Sequence, residues 1–310
     1  MPAIITHYLF GQEATRKLSE DIVDDKEELL AFLLGNQGPD PLWAHFRASR
    51  SVSSSCSELA SAMHAGKVTE AFMVLRSTVT RLPEADKSIG MAFALGLLSH
   101  YVLDSHVHPF VFAQEQAICA ADPELQPRRK EVHAVIESDL DSWMLWHKRR
   151  ATVLDAPAGS CLDSTDAVLR VGGALLAQVG WEVFAIKVGA DAYAGCVRDY
   201  RTIYSIVDPA PAKANKLLKL LDPFTSQAAY LRALGHYVRQ SDECPAANLA
   251  RLPWSNPFTD ETRTASFDDL FSEALDSWPD YAQAFVRRDD KLLQKLTQEY
   301  NYDGALISER

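Results

Sequence analysis

The run Leu97-Leu98-Ser99-His100-Tyr101-Val102-Leu103-Asp104-Ser105-His106-Val107-His108-Pro109 constrains this chain more than any other stretch. His100, Asp104 and His108 recur every four residues, a spacing that stacks side chains on one face of an α-helix with Cβ atoms roughly 5–6 Å apart. Two side chains at that separation can close on one ion at about 2.0–2.2 Å, the zinc distance for histidine nitrogen and carboxylate oxygen. The preceding residues, Ile89 to Gly96, are apolar and helix-compatible. Ionisable groups on such a segment are costly to bury unless they are paired or bound to metal. A second pair, His133 and Glu137, repeats the i, i+4 spacing. The pattern predicts two helices that hold a metal site between them.

Such a site needs a core around it, and the composition supplies one. The 310 residues are 47% hydrophobic and 24% charged, normal for a globular protein. They read as a single domain over 1–310, with a metal-site core over about 1–150 and C-terminal helices over 160–310 completing the bundle. The net charge of −11 and a pI near 5.3 disfavour broad electrostatic binding to nucleic acid or anionic lipid. Multivalent cations are the more natural partner, and no stable nucleic-acid binding is expected.

Met1-Pro2-Ala3-Ile4-Ile5-Thr6-His7 lacks the basic start, apolar core and cleavage site of a secretory signal. Val171 to Ala190 is apolar but carries Gln178, Glu182, Lys187 and four glycines. It reads as buried helix rather than a membrane span. Cys56, Cys119, Cys161, Cys196 and Cys244 are scattered with no CxxC pair, which disfavours both a thiolate zinc site and a disulfide framework. A reducing, cytoplasmic location is the expectation.

Apolar positions at helical spacing run through residues 11–34, and Gly35-Asn36-Gln37-Gly38-Pro39-Asp40-Pro41 breaks the helix in a loop that presents Asp40. Ser51 to Ser55 reads as a polar bend, and Ser57 to Arg81 as helix broken near Gly66. The central helix is expected from about Ala85 to His108, stopped by Pro109, and the His133/Glu137 helix from Arg128 to Arg150. Beyond Ala156-Pro157-Ala158-Gly159-Ser160, helical stretches are expected near 164–190, 190–207, 212–240 and 266–298, punctuated by Pro209, Pro211 and Pro223. Strand alternation is almost absent, so the fold class is all-α. The candidate ligands lie in the first 140 residues.

His45, His106, His147 and His236 have no i+4 partner on a convincing buried face and read as ordinary core or surface histidines. His106 lies two residues after Asp104, nearly opposite the ligand face, and would reach a metal only if the helix unwound before Pro109. His100, Asp104, His108, His133 and Glu137 differ because they are coupled. The alternative to metal ligation is a buried hydrogen-bond network. Mixed His/carboxylate ligation usually leaves a position open for water.

The residues Ile5-Thr6-His7-Tyr8-Leu9-Phe10-Gly11, Gly38-Pro39-Asp40, Met63-His64, His100-Tyr101-Val102-Leu103-Asp104 and the His133/Glu137 pair, in that order, resemble the zinc-dependent phospholipase C family. That family is related in fold to the fungal single-strand nucleases. The resemblance covers about the first 140 residues, and Trp254-Ser255-Asn256-Pro257 followed by Ser266-Phe267 is also typical of it. It implies an all-α bundle around a zinc cluster. His7 would be the N-terminal histidine ligand, Asp40 a carboxylate at the cluster and the favoured general base, and His64 the histidine that follows. Asp104 would bridge ions beside His100, and His108, His133 and Glu137 would form the remaining site. Secreted members use a mature N-terminal Trp as ligand, and the best-known bacterial enzymes place the third histidine six residues after the aspartate. Here no such Trp precedes His7 and the histidine comes four residues on, so two to three zinc ions are expected.

The resemblance implies a zinc metallohydrolase of phosphate esters, with a small-molecule or phospholipid ester as the leading substrate. A nuclease-like phosphodiesterase is the runner-up. A metal-stabilised helical binding protein without turnover is the alternative from another class, and retention of Asp40 beside the ligand set favours the enzyme.

Overall fold

A computed structural model describes residues 4–19, 22–210, 226–297 and 300–307. Among them are eleven α-helices: α1 Ile4–Thr15, α2 Lys26–Gly35, α3 Arg50–Ala65, α4 Val68–Arg81, α5 Lys87–Ala121, α6 Arg129–Arg149, α7 Asp166–Phe184, α8 Ala192–Val207, α9 Ser226–Ala233, α10 Phe267–Val286 and α11 Asp290–Thr297. Among the described residues, strands are confined to a two-stranded antiparallel ribbon, β1 Trp254–Ser255 with β2 Thr262–Arg263. The all-α expectation holds.

Helix α5 is the axle of the bundle. Most of its residues from Ile89 to Val111 are buried, and α1, α2, α4, α6, α7 and α10 all pack on it. A helix apolar on nearly every side belongs inside a bundle, and here it carries its polar residues to one interior spot. Pro109 does not stop it: the helix runs on to Ala121, with Pro109 buried inside. The proline leaves the Ser105 carbonyl without its usual helical donor. Burial of Val107, Phe110 and Val111 on either side offsets that loss and keeps the helix continuous.

Other expectations shift at element boundaries. Residues 11–34 form two helices rather than one, because α1 ends at Thr15 and a capping box starts α2, with the Asp25 side chain accepting from the Glu28 amide. The Ser51–Ser55 bend is the first turn and a half of α3. The stretch near 266–298 divides into α10 and α11. Pro211, Pro223 and the beginning of the 212–240 stretch lie outside the described residues. Helix α7 is long and apolar enough, by length and composition, to cross a membrane. In this fold one face of it, Val168, Val171, Leu175, Leu176 and Val179, is buried against neighbouring helices.

Two glycines set the α2–α5 crossing. A Cβ on Gly35 would collide with the Phe93 carbonyl oxygen, and one on Gly96 with that of Phe32. The helices therefore approach backbone to backbone, which places the segment after α2 directly over His100. Gly38 takes a left-handed conformation (φ 60°) where any Cβ would strike the His100 ring. Only glycine combines that backbone with that space, and the chain then turns into a short 3-10 helix, Asp40–Ala44, that delivers Asp40.

Candidate metal centre

The eight candidate residues converge. His7 comes from α1, Asp40 from the 3-10 turn, His64 from the end of α3, His100, Asp104 and His108 from α5, and His133 and Glu137 from α6. They form three donor groups, His7/His100/Asp104, Asp40/His64/His100 and His108/His133/Glu137, the first two sharing His100 and the donor atoms of each within 4.8 Å of one another. All but His133 are buried, and His133 is nearly so.

Asp104 stands at the centre. Its Oδ1 lies 3.0 Å from His7 Nε2 and 3.6 Å from His108 Nε2, and its Oδ2 lies 3.0 Å from His100 Nε2 and 3.9 Å from His64 Nε2. Each oxygen faces a different pair of histidines, the arrangement of a bridging carboxylate. Asp40 Oδ1 is 3.2 Å from His64 Nε2, and Glu137 Oε1 is 3.4 Å from His108 Nε2 and 3.3 Å from His133 Nε2. An ion with four bonds of about 2.0–2.2 Å sets its donor atoms about 3.3–3.6 Å apart. The observed separations straddle that range.

The outer ring nitrogens explain why the inner ones point inward. His64 Nδ1 is 2.8 Å from the Ala60 carbonyl, His100 Nδ1 3.1 Å from the Asn36 carbonyl, and His108 Nδ1 3.0 Å from the Tyr302 carbonyl. His133 Nδ1 is 3.0 Å from Glu115 Oε2, and Glu115 is itself held by Arg129. A carbonyl can only accept, so each Nδ1 carries the proton and donates. In the neutral ring each Nε2 is then the lone pair available to an ion, with the ring fixed as in metal sites.

The central atoms confirm that ordinary hydrogen bonds do not satisfy the cluster. Ten buried side-chain polar atoms of the described residues lack a hydrogen-bond partner, and five belong to the candidate set: His7 Nδ1, Asp40 Oδ1, His64 Nε2, His100 Nε2 and Glu137 Oε2. His100 Nε2 has none although Asp104 Oδ2 is 3.0 Å away: with the proton on Nδ1, both atoms are acceptors. Orphaned groups cost about 1–3 kcal/mol each when buried, and a shared cation removes the cost. These residues fit a metal ion.

Electrostatics reinforce the fit. Burial opposes ionisation of Asp104, yet His100, His108 and His7 hold it well below the ordinary carboxylate range. Glu137 is likewise buried and likewise depressed, by His133 and His108. Burial would lower His108, but Asp104 and Glu137 push it up to about 10. The carboxylates are ready as anions, and a metal entering the site displaces protons from histidine.

The remaining histidines stay outside. His106 points away from the cluster, its Nδ1 2.7 Å from the Val102 carbonyl, so His108 is the residue on the ligand face. His45 pairs with Asp199 at 3.1 Å, and His147 lies on the periphery 3.7 Å from Asp268. His236 is a core histidine with two carboxylates, Asp141 at 3.1 Å and Asp208 at 3.0 Å. Asp141 also accepts the backbone amides of Ile5 and Thr6, so it anchors the first turn of α1, which carries His7.

Sequence spacing missed the partners contributed from elsewhere. Glu115 sits eleven residues after Asp104 on the same helix and carries no pairing signal of its own. Tyr302 and Asp303 come from the far end of the chain, with Asp303 Oδ1 3.8 Å from His108 Nδ1. Asn36 links two candidate ligands once its side-chain amide is oriented to satisfy its neighbours: the nitrogen then donates to the His7 carbonyl and the oxygen accepts from the His100 amide at 3.3 Å. Comparison with family models, curated proteins and solved structures found no match for this chain.

Proposed function

We propose that this chain is a zinc-dependent hydrolase of phosphate esters, most closely a phospholipase C-like phosphodiesterase. The observation that carries the reading is Asp104 between two pairs of histidines, with Asp40 and Glu137 at either end. A bridging carboxylate inside an all-histidine-and-carboxylate shell suits several zinc ions held close together. Such ions, when bound, polarise phosphoryl oxygens, deliver the attacking water and stabilise the leaving group. The resemblance described for the first 140 residues points to the same chemistry.

The chain's own residues then divide the remaining work. His7, His64, His100, Asp104, His108, His133 and Glu137 hold the ions. Asp40 has one oxygen toward His64 and is framed by Pro39 and Pro41, which restrict its backbone. Burial would raise its carboxyl, but His64 and His100 nearby keep it below the ordinary range. A rigid, ionised carboxylate at the edge of the cluster can orient a water and take its proton during attack on phosphorus.

The test is hydrolysis of a generic phosphodiester and of phosphatidylcholine by the purified protein, before and after chelation and zinc return. Asp40→Asn keeps the shape but removes the basic oxygen. It should retain most of the zinc and lose activity by roughly 10²–10⁴-fold. Loss of zinc together with activity would make Asp40 chiefly a ligand, and unchanged activity would remove it from the site.

A further inference from the structure

We propose that the C-terminal turn Asn301–Ala305 is a positioning strap of the metal centre, gripping two of its histidines at once through the backbone of Tyr302. The inference rests on the metal reading above. The Tyr302 amide donates to the His64 carbonyl at 3.2 Å, and the Tyr302 carbonyl accepts from His108 Nδ1 at 3.0 Å. The Tyr302 ring fills the space between them, 4.9 Å from the His64 ring and 5.7 Å from that of His100. His64 and His108 belong to different donor groups on different helices. One residue, 1% exposed, therefore links both ends of the cluster.

The turn is built to hold that residue still. Asn301 N–H donates to Ala305 O at 2.9 Å and Gly304 N–H to Asn301 O at 3.1 Å. The Asn301 side chain accepts from the Asp303 and Ala305 amides at 2.9 and 3.0 Å. Tyr101 Oη on α5 donates to the Tyr300 carbonyl at 3.0 Å, fastening the entry of the turn. Gly304 closes it with φ 70°, and a Cβ there would stand 2.6 Å from both Pro109 Cγ and Ser105 O. The strap thus packs on α5 at Ser105 and Pro109, beside His108.

Its role follows from what His108 needs. With the Tyr302 carbonyl in place, Nδ1 keeps its proton and the ring presents Nε2 to the ion. Without it the ring is free to turn. Loss of an outer partner of a metal-bound histidine weakens metal binding about 10–100-fold. Gly304→Val should break the turn, and Asn301→Ala should loosen it without added bulk. Tyr302→Phe is the conservative counterpart, because it keeps the backbone contacts and the ring.

The experiment is zinc competition against a chromophoric chelator, with helicity by circular dichroism measured on the chelated proteins. Gly304→Val should bind one class of zinc about 10–100-fold more weakly, Asn301→Ala should shift the same way, and Tyr302→Phe should match wild type. Should Gly304→Val lose helicity, Asn301→Ala decides the matter. Wild-type affinity in the folded turn variants would overturn the strap alone. A wild-type protein that takes up no zinc would overturn the metal reading, and the strap with it.

Discussion

Four of the five candidate histidines, His64, His100, His108 and His133, commit Nδ1 to an acceptor, which spends the N–H outside and leaves Nε2 inside, whereas His7 Nδ1 has no partner. His106 makes the same kind of bond but faces away from the cluster. The contrast gives a direct expectation. His108→Ala should lower the bound zinc and the thermal stability of the loaded protein, since an ion that binds only the folded state stabilises it. His106→Ala should leave the zinc content unchanged, and elemental analysis of the two variants reads the difference. The reverse result would mean that α5 is out of register at Pro109. The i, i+4 spacing of His100, Asp104 and His108 was legible in the sequence because an intact helix converts spacing into a shared face. The outer partners Tyr302, Asn36 and Glu115 were not, because which carbonyl or carboxylate meets an outer nitrogen depends on helix packing.

At the scale of elements, His236 ties the middle of α6 to the segment just after α8, and Asp141 extends the tie to the start of α1. Both of its ring nitrogens face carboxylate oxygens, Asp141 from α6 and Asp208 just after α8. A neutral imidazole has one donor, so two carboxylate partners demand the charged form. The ring is fully buried, which alone would lower its pKa, but the two carboxylates push it up to about 9. A folded pKa above the unfolded value of about 6.5 stabilises the fold fully below pH 6.5. That stabilisation fades as pH rises through about 9. Denaturant unfolding across that range should show wild-type stability falling, and His236→Ala should lack that component while costing about 3–5 kcal/mol near neutral pH. A variant as stable as wild type, with the same pH slope, would contradict the ion-pair role. Sequence gave His236 no i+4 partner and so no sign of this tie: Asp141 and Asp208 lie 95 and 28 residues away. The Pro109 stop failed for a related reason. Local propensity set against a helix loses when the flanking turns are buried on several sides.

Taken whole, six helices of the described residues pack on α5, and three donor groups, two of them sharing His100, gather at its His100/Asp104/His108 face. The helical class and the shared faces of His100/Asp104/His108 and His133/Glu137 were legible because both depend on period and residue type, whereas His7, Asp40 and His64 entered only through the family resemblance. The turn at Tyr302 was not legible, since its contact with His108 Nδ1 spans 194 residues of chain. The central claim is that this interior is a zinc centre. Elemental analysis of the purified protein, never exposed to chelator, tests it most directly. The account predicts two to three zinc ions per chain, with occupancy falling as pH drops through the histidine range because protons compete for the same nitrogens. A protein that carries no transition metal, and takes up none when zinc is supplied at neutral pH, would contradict it.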